Sequence, residues 1–262
     1  MTETAPATSE TGTAPPGTVI WIDLGSRDPS GSADFYHGLF GWEREVIPDP
    51  NAGGYGFFNL DGQMAAGVGP LMDPNAPSAW TVYFATDDTE ETARKVRDAG
   101  GQVVFGPMDV MGTGIMAICA DPTGAFFGLW QPMLHTGMRV RNQPGSFAWA
   151  ELNTRDMAAA RSFYAGVFGW GSNEYEGDNP YTEWTLNGES VGGGWNMTGR
   201  VPDEVPPHWL TYFAVTDCDA SLARAQELGA ETVVPAMDIP QGRFSVIRDP
   251  QGATLAIIAF QS

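Results

Sequence analysis

The chain carries an internal repeat, and that repeat limits what it can fold into more than any other feature. Residues 28–42 read DPSGSADFYHGLFGW and residues 156–170 read DMAAARSFYAGVFGW. The same register, shifted by about 128 residues, continues along the unit. Trp21 matches Trp149, Arg27-Asp28 matches Arg155-Asp156, and Asp61-Gly62 matches Asn187-Gly188. Trp80 with Tyr83-Phe84 matches Trp209 with Tyr212-Phe213, Met108-Asp109 matches Met237-Asp238, and Asp121-Pro122 matches Asp249-Pro250. A self-similar period of this length means two copies of one ordinary domain rather than one large domain. The boundaries expected are a flexible tail over 1–16, a first domain over 17–133, a polar, Gly- and Pro-containing linker over 134–144, and a second domain over 145–262.

Each copy alternates short β-type runs with helical stripes. Val19 to Gly25 is a strand, Asp28 a helix N-cap, and Ala33, Tyr36, Leu39 and Phe40 recur at helical spacing until Gly41 stops the helix. The second copy repeats the stripe with Ala160, Phe163, Val167 and Phe168, stopped by Gly169. Asp61-Gly62 and Asn187-Gly188 are the dipeptides that type I′ hairpin turns prefer. The pattern then begins again with a strand over 81–85 and a helix capped near Asp87-Asp88, carrying Ala93, Val96 and Ala99 and ended by Gly100. Two further strands meet at Asp121-Pro122-Thr123-Gly124. Each copy therefore reads βαβββ twice, an α+β unit with helices on one face of a sheet.

Charge and cysteine content narrow the function classes. Net charge is −19, from 32 acidic against 13 basic side chains, and such a surface repels phosphate backbones, so no nucleic-acid partner is expected. No apolar run is long enough to span a bilayer. The first sixteen residues have neither the basic start nor the apolar stretch of a secretory signal, so the expected location is cytoplasmic. The two cysteines, Cys119 and Cys218, stand at unmatched places in apolar, strand-like segments and read as buried thiols rather than a disulfide.

The strand-Arg-Asp-helix-FYxGxFGW block, the second strand-Asp-helix block and the closing DPxG strand together resemble the vicinal-oxygen-chelate superfamily, which includes glyoxalase I, bleomycin-resistance proteins and extradiol dioxygenases. The likeness covers nearly everything after the tail, in duplicate, and extends to paired-domain members from actinobacteria, among them accessory proteins near anthracycline-type polyketide pathways. It implies two tandem domains, each built from two βαβββ modules whose curved sheet forms a cup. Strand alternation then assigns faces. Ile20, Ile22 and Leu24 are expected on the helix side, as are Ala148, Ala150 and Leu152. Trp21, Asp23, Tyr55, Phe57, Tyr83 and Trp130 are expected to line the first cup, and Trp149, Glu151, Tyr181, Glu183 and Tyr212 the second.

Metal-dependent members of the superfamily carry His, Gln or Glu at three or four cup positions. Here those positions fall on Trp21, Thr81, Gly128 and Ala66, and on Trp149, Leu210, Ala256 and Gly192. None of these side chains ligates a divalent ion, so neither a metal nor another cofactor is expected. His37, His135 and His208 share no repeat position and read as surface histidines. The expected ligand is a planar aromatic small molecule, with an amine favoured by the cup carboxylates. The roles that fit are sequestration, resistance, or accessory work in natural-product biosynthesis. The alternative is a metal-independent lyase, isomerase or hydroxylase-type enzyme with Asp23 or Glu151 as general base and Tyr83 or Tyr212 as donor. Of the two cups the more aromatic first one is the expected site, and the expected state is a monomer or a homodimer.

Overall fold

A computed structural model describes residues 14–177 and 179–261. In the first half β1 (Val19–Ser26) leads into α1 (Pro29–Phe40), followed by β2 (Glu43–Val46), β3 (Gly56–Leu60) and β4 (Gln63–Pro70). The unit recurs as β5 (Ala79–Ala85), α2 (Thr89–Asp98), β6 (Gln102–Asp109), β7 (Gly114–Ala120) and β8 (Phe126–Pro132). The second half repeats this with β9 (Phe147–Thr154), α3 (Met157–Phe168), β10 (Gly171–Tyr175), β11 (Tyr181–Leu186) and β12 (Glu189–Asn196). It closes with β13 (His208–Ala214), α4 (Cys218–Glu227), β14 (Glu231–Ile239), β15 (Gly242–Arg248) and β16 (Thr254–Phe260).

Two curved eight-stranded sheets result, in the orders β2-β3-β4-β1-β5-β8-β7-β6 and β10-β11-β12-β9-β13-β16-β15-β14. Local chemistry accounts for the turns and caps. Asp28 accepts hydrogen bonds from the first-turn amides of α1, Asp156 does so for α3, and Gly41 and Gly169 end these helices in the left-handed region. Asp61 and Gly62 both have positive φ, as do Asn187 and Gly188, which is what a type I′ turn demands.

Alternation places Ile22 and Leu24 in the helix-side core and Trp21 on the other face. It fails one residue earlier. The β1–β5 register slips between Val19 and Trp21, so Val19 enters the helix-side core and Ile20 joins the cup cluster, against expectation. The β9–β13 ladder slips at the matching place, between Tyr212 and Phe213, and Ala148 likewise lies with the cup while Phe147 lies in the core. Cys218 is a second departure, since it starts α4 rather than lying in a strand; both thiols are buried and unpaired. The tail expectation falls mostly outside the described residues, although Ala14 packs against the first cup's cluster.

The convex faces of the two sheets share one core. Phe84 meets Trp209 at 5.2 Å between ring centroids, and Trp80 meets Phe213 at 5.1 Å. The most repetitive motif residues lie here. Trp80 Nε1 donates to Tyr36 Oη, which donates 2.9 Å to Asp249 of the other half. Reciprocally, Trp209 Nε1 donates to Tyr164 Oη, which donates 3.0 Å to Asp121. Trp42 and Trp170 donate to the carbonyls of Gly145 and Gly17 across the same junction. The FYxGxFGW and DPxG motifs therefore join the halves back to back, and the two cups open on opposite sides.

Candidate ligand cups

On the concave face of the first sheet, β1 presents Trp21 and Asp23 two residues apart. Trp21 Nε1 donates to Tyr55 Oη at 3.1 Å, and Tyr55 Oη donates to Asp23 Oδ2 at 3.2 Å. Tyr83 Oη donates to the same carboxylate oxygen at 3.1 Å. Glycines make this possible by leaving the space that a Cβ would fill. At Gly67 a Cβ would meet the Tyr55 hydroxyl, and at Gly128 it would meet the Tyr83 ring, so both tyrosines lie flat across neighbouring strands.

Burial pushes the Asp23 carboxyl up to about 6, and the hydrogen bonds from Tyr83, Tyr55 and Thr81 offset only part of that rise. Asp23 as a residue nevertheless keeps partial solvent access. Phe57 stands edge-on to Trp21 at 6.0 Å, and Trp130 completes the aromatic lining.

The second cup brings together the matching residues, with one more methylene on the acid. Trp149 Nε1 donates 2.9 Å to Tyr181 Oη, and Tyr212 Oη donates 3.1 Å to Glu151 Oε1. Burial raises the Glu151 carboxyl to about 7, against the lowering effect of hydrogen bonds from Tyr181, Tyr212 and Asn153. Gly193, like Gly67, stands where a Cβ would strike the tyrosine hydroxyl. Glu183 is a separate case. Asn173, Tyr175 and Ser190 hydrogen-bond it on the outer strands of the sheet and, against its partial burial, keep its carboxyl below the usual range, so it does not join Glu151.

The positions where metal-dependent relatives keep ligands do not suit an ion. Thr81 faces Asp23, whose carboxyl pKa its hydroxyl helps to lower, and the Tyr83 ring covers Gly128. Leu210 and Ala256 belong to the apolar lining of the second cup. Ala66 is not in the cup at all. A register slip in the β3–β4 ladder turns it into the helix-side core, and Gly192 is likewise set against core tryptophans. Each floor therefore offers a single carboxylate, and among the described residues no three His, Cys, Asp or Glu side chains converge.

His135 was expected at the surface and is instead part of the first cup. Its ring packs edge-on against Trp21 at 4.4 Å, with Trp130 at 5.3 Å and Phe57 at 5.8 Å. Desolvation drops its pKa to about 4, so it is neutral at ordinary pH. A lone histidine in a polar, Gly-containing segment gives no sequence signal for this position. Thr81 and Asn153, on the cup face by alternation, each lower the pKa of the neighbouring carboxyl, a role that the sequence pattern does not signal. His37 lies on the exposed face of α1, and His208 bonds the nearby Pro206 carbonyl.

The family model of the Glyoxalase/Bleomycin resistance protein/Dioxygenase superfamily matches residues 18–129 and again 146–257. The chain belongs to that superfamily. Within it, the chain is 42% identical over 259 residues to the anthracycline biosynthesis protein DnrV of Streptomyces peucetius, covering 93% of each. It is 38% identical over 250 residues to CFP32 of Mycobacterium bovis, covering 92% of this chain and 94% of that one. Among solved structures, the Mn(II)-bound glyoxalase of Novosphingobium aromaticivorans superposes with a TM-score of 0.65 at 15% identity, covering 93% of this chain and 82% of the other. That likeness concerns the superfamily's fold alone.

Proposed function

We propose that the protein binds a planar aromatic small molecule without a metal, ring against the cup tryptophan and a polar or amine group toward the floor carboxylate. The observation that carries this reading is the duplicated circuit of tryptophan, tyrosine, carboxylate and tyrosine, built as Trp21–Tyr55–Asp23–Tyr83 and as Trp149–Tyr181–Glu151–Tyr212. Two independent copies keep the same donors around one acid, although the acid itself differs. A stacked ring pair adds about 0.5–1.5 kcal/mol beyond area burial, and a carboxylate facing an amine adds orientation. The likeness to an anthracycline biosynthesis protein fits a polycyclic aromatic ligand and an accessory or sequestering role in natural-product biosynthesis.

Titration with 9-aminoacridine and with neutral anthraquinones, followed by tryptophan fluorescence, tests this. Saturable quenching is expected, stronger for the amine and weakened when pH falls below about 6 to 7, where the carboxylates gain protons. Absence of saturable binding across such a panel would sink the reading.

A second reading has its own support. A carboxyl held at about 7 beside two tyrosine hydroxyls is matched to general-base work near neutral pH. On that reading Glu151, or Asp23 in the other cup, takes a proton from bound substrate and Tyr212 or Tyr83 donates to the developing oxyanion. Product formation abolished by Glu151→Gln with ligand affinity retained would favour it.

A further inference from the structure

The segment after β8 is more than a tether between the halves. Met133 N and His135 N both donate to Thr113 O, in the β6–β7 turn. Met138 N donates to Ile20 O at 3.0 Å and Arg139 N to Met64 O at 2.7 Å, on β1 and β4. Trp130 Nε1 holds the His135 carbonyl at 2.9 Å. Residues 133–139 thus cross the Trp21 end of the first cup as a strap pinned on both sides. Gly137 is pressed so closely on β1 that a Cβ there would collide with the Ile20 carbonyl.

The strap delivers the His135 ring among Trp21, Trp130 and Phe57, the place a flat heterocyclic ligand would take. Trp21 is 3% exposed beneath it. In the second cup Trp149 stays partly exposed, and among the described residues no ring packs on it. The closed strap also leaves His135 Nε2 and Thr136 Oγ1 buried without hydrogen-bond partners. Closing the strap costs these atoms their hydrogen bonds to water, which keeps an open strap within reach.

We propose that His135 is a built-in occupant of the first cup, so that ligand enters the second cup first and the first becomes a site only when the strap lifts. This rests on the aromatic-ligand reading above, and it reverses the sequence expectation that favoured the first cup. The neutral imidazole stands edge-on to Trp21 and takes up the space that a ligand ring would need beside it.

Two readouts on the whole chain test the proposal. Hydroxyl-radical footprinting with mass spectrometry reads Trp21 and Trp149 separately and needs no ligand. Trp149 should label several-fold faster than Trp21 in the wild type, and His135→Ala should raise Trp21 labelling to the Trp149 level. Titration with 9-aminoacridine should saturate at one equivalent in the wild type, lost in Trp149→Ala, and at two in His135→Ala. Gly137→Ala, which forces the strap off Ile20 without touching the ring, should move both readouts the same way. Trp21 labelling unchanged in both strap variants would overturn the proposal. So would wild-type saturation at two equivalents, or a wild-type site lost in Trp21→Ala and kept in Trp149→Ala. Footprints that open in both variants while no form binds the probe would support the shield and overturn the aromatic-ligand reading.

Discussion

The two cups share a floor and differ at the mouth. In the first, a short acid keeps some contact with solvent while the tryptophan is covered by His135. In the second, the longer acid is 8% exposed while the tryptophan is accessible. Burial raises both carboxyls by similar amounts, and the higher pKa of the second, about 7 against about 6, follows largely from the higher starting value of glutamate, 4.5 against 3.8. The comparison teaches that a duplicated hydrogen-bond circuit fixes where the acid sits, while neighbouring loops decide what can reach it.

The largest expected effect that sharpens this contrast is on stability against pH. Glu151 titrates near 4.5 when unfolded and near 7 when folded, so folding favours its protonated form. The stability this provides is full below about pH 4.5 and is lost as pH rises through 7. Glu151→Gln should therefore raise neutral-pH stability by about 3 kcal/mol and flatten the profile between those limits, read by denaturant melts from pH 4 to 8. Asp23→Asn should act over the lower window of about 4 to 6, and more weakly because Asp23 keeps solvent contact. Equal gains from the two would break the contrast.

The junction, unlike the cups, should respond symmetrically. Tyr36→Phe removes the donor to buried Asp249 and leaves Trp80 Nε1 without its acceptor, and Tyr164→Phe does the same to Asp121 and Trp209. Each should cost about 2 kcal/mol in chemical denaturation, and one cooperative transition should persist in both variants. At the mouths, Trp149→Ala should weaken 9-aminoacridine binding by about 30-fold, the scale of a binding hot spot, while Trp21→Ala leaves it within about threefold. The smallest difference concerns the donors. Tyr55→Phe and Tyr181→Phe should each cost about 1 kcal/mol and push the adjacent carboxyl further up, measurable by carboxyl-selective NMR titration.

Much of this was legible in the chain because each position could be read twice. The repeat showed two copies of one α+β unit, and period-two alternation put Trp21, Asp23, Tyr55 and Tyr83 on one face before any contact was known. Alternation failed at Ile20 and Ala148 because a bulge there inserts a residue, and no side-chain pattern signals it. The closing Asp-Pro turn was readable as a turn but not as a bond to the opposite half, since Tyr36 and Asp249 lie 213 positions apart. His135 escaped for a related reason. Its neighbours in sequence, Met133-Leu134 and Thr136-Gly137, carry no periodic pattern, and only the path of the backbone turns it inward.

The crossed tyrosine–aspartate bonds have a consequence for how such a chain can change over time. Each half supplies the last hydrogen bond of the other's core, so a substitution on the convex side is felt in both copies at once. Among the described residues the concave sides share no such bond. One rigid spine thus supports two receptacles that can drift apart in chemistry, one acquiring a plug and the other a longer acid, without either change reaching across to its twin.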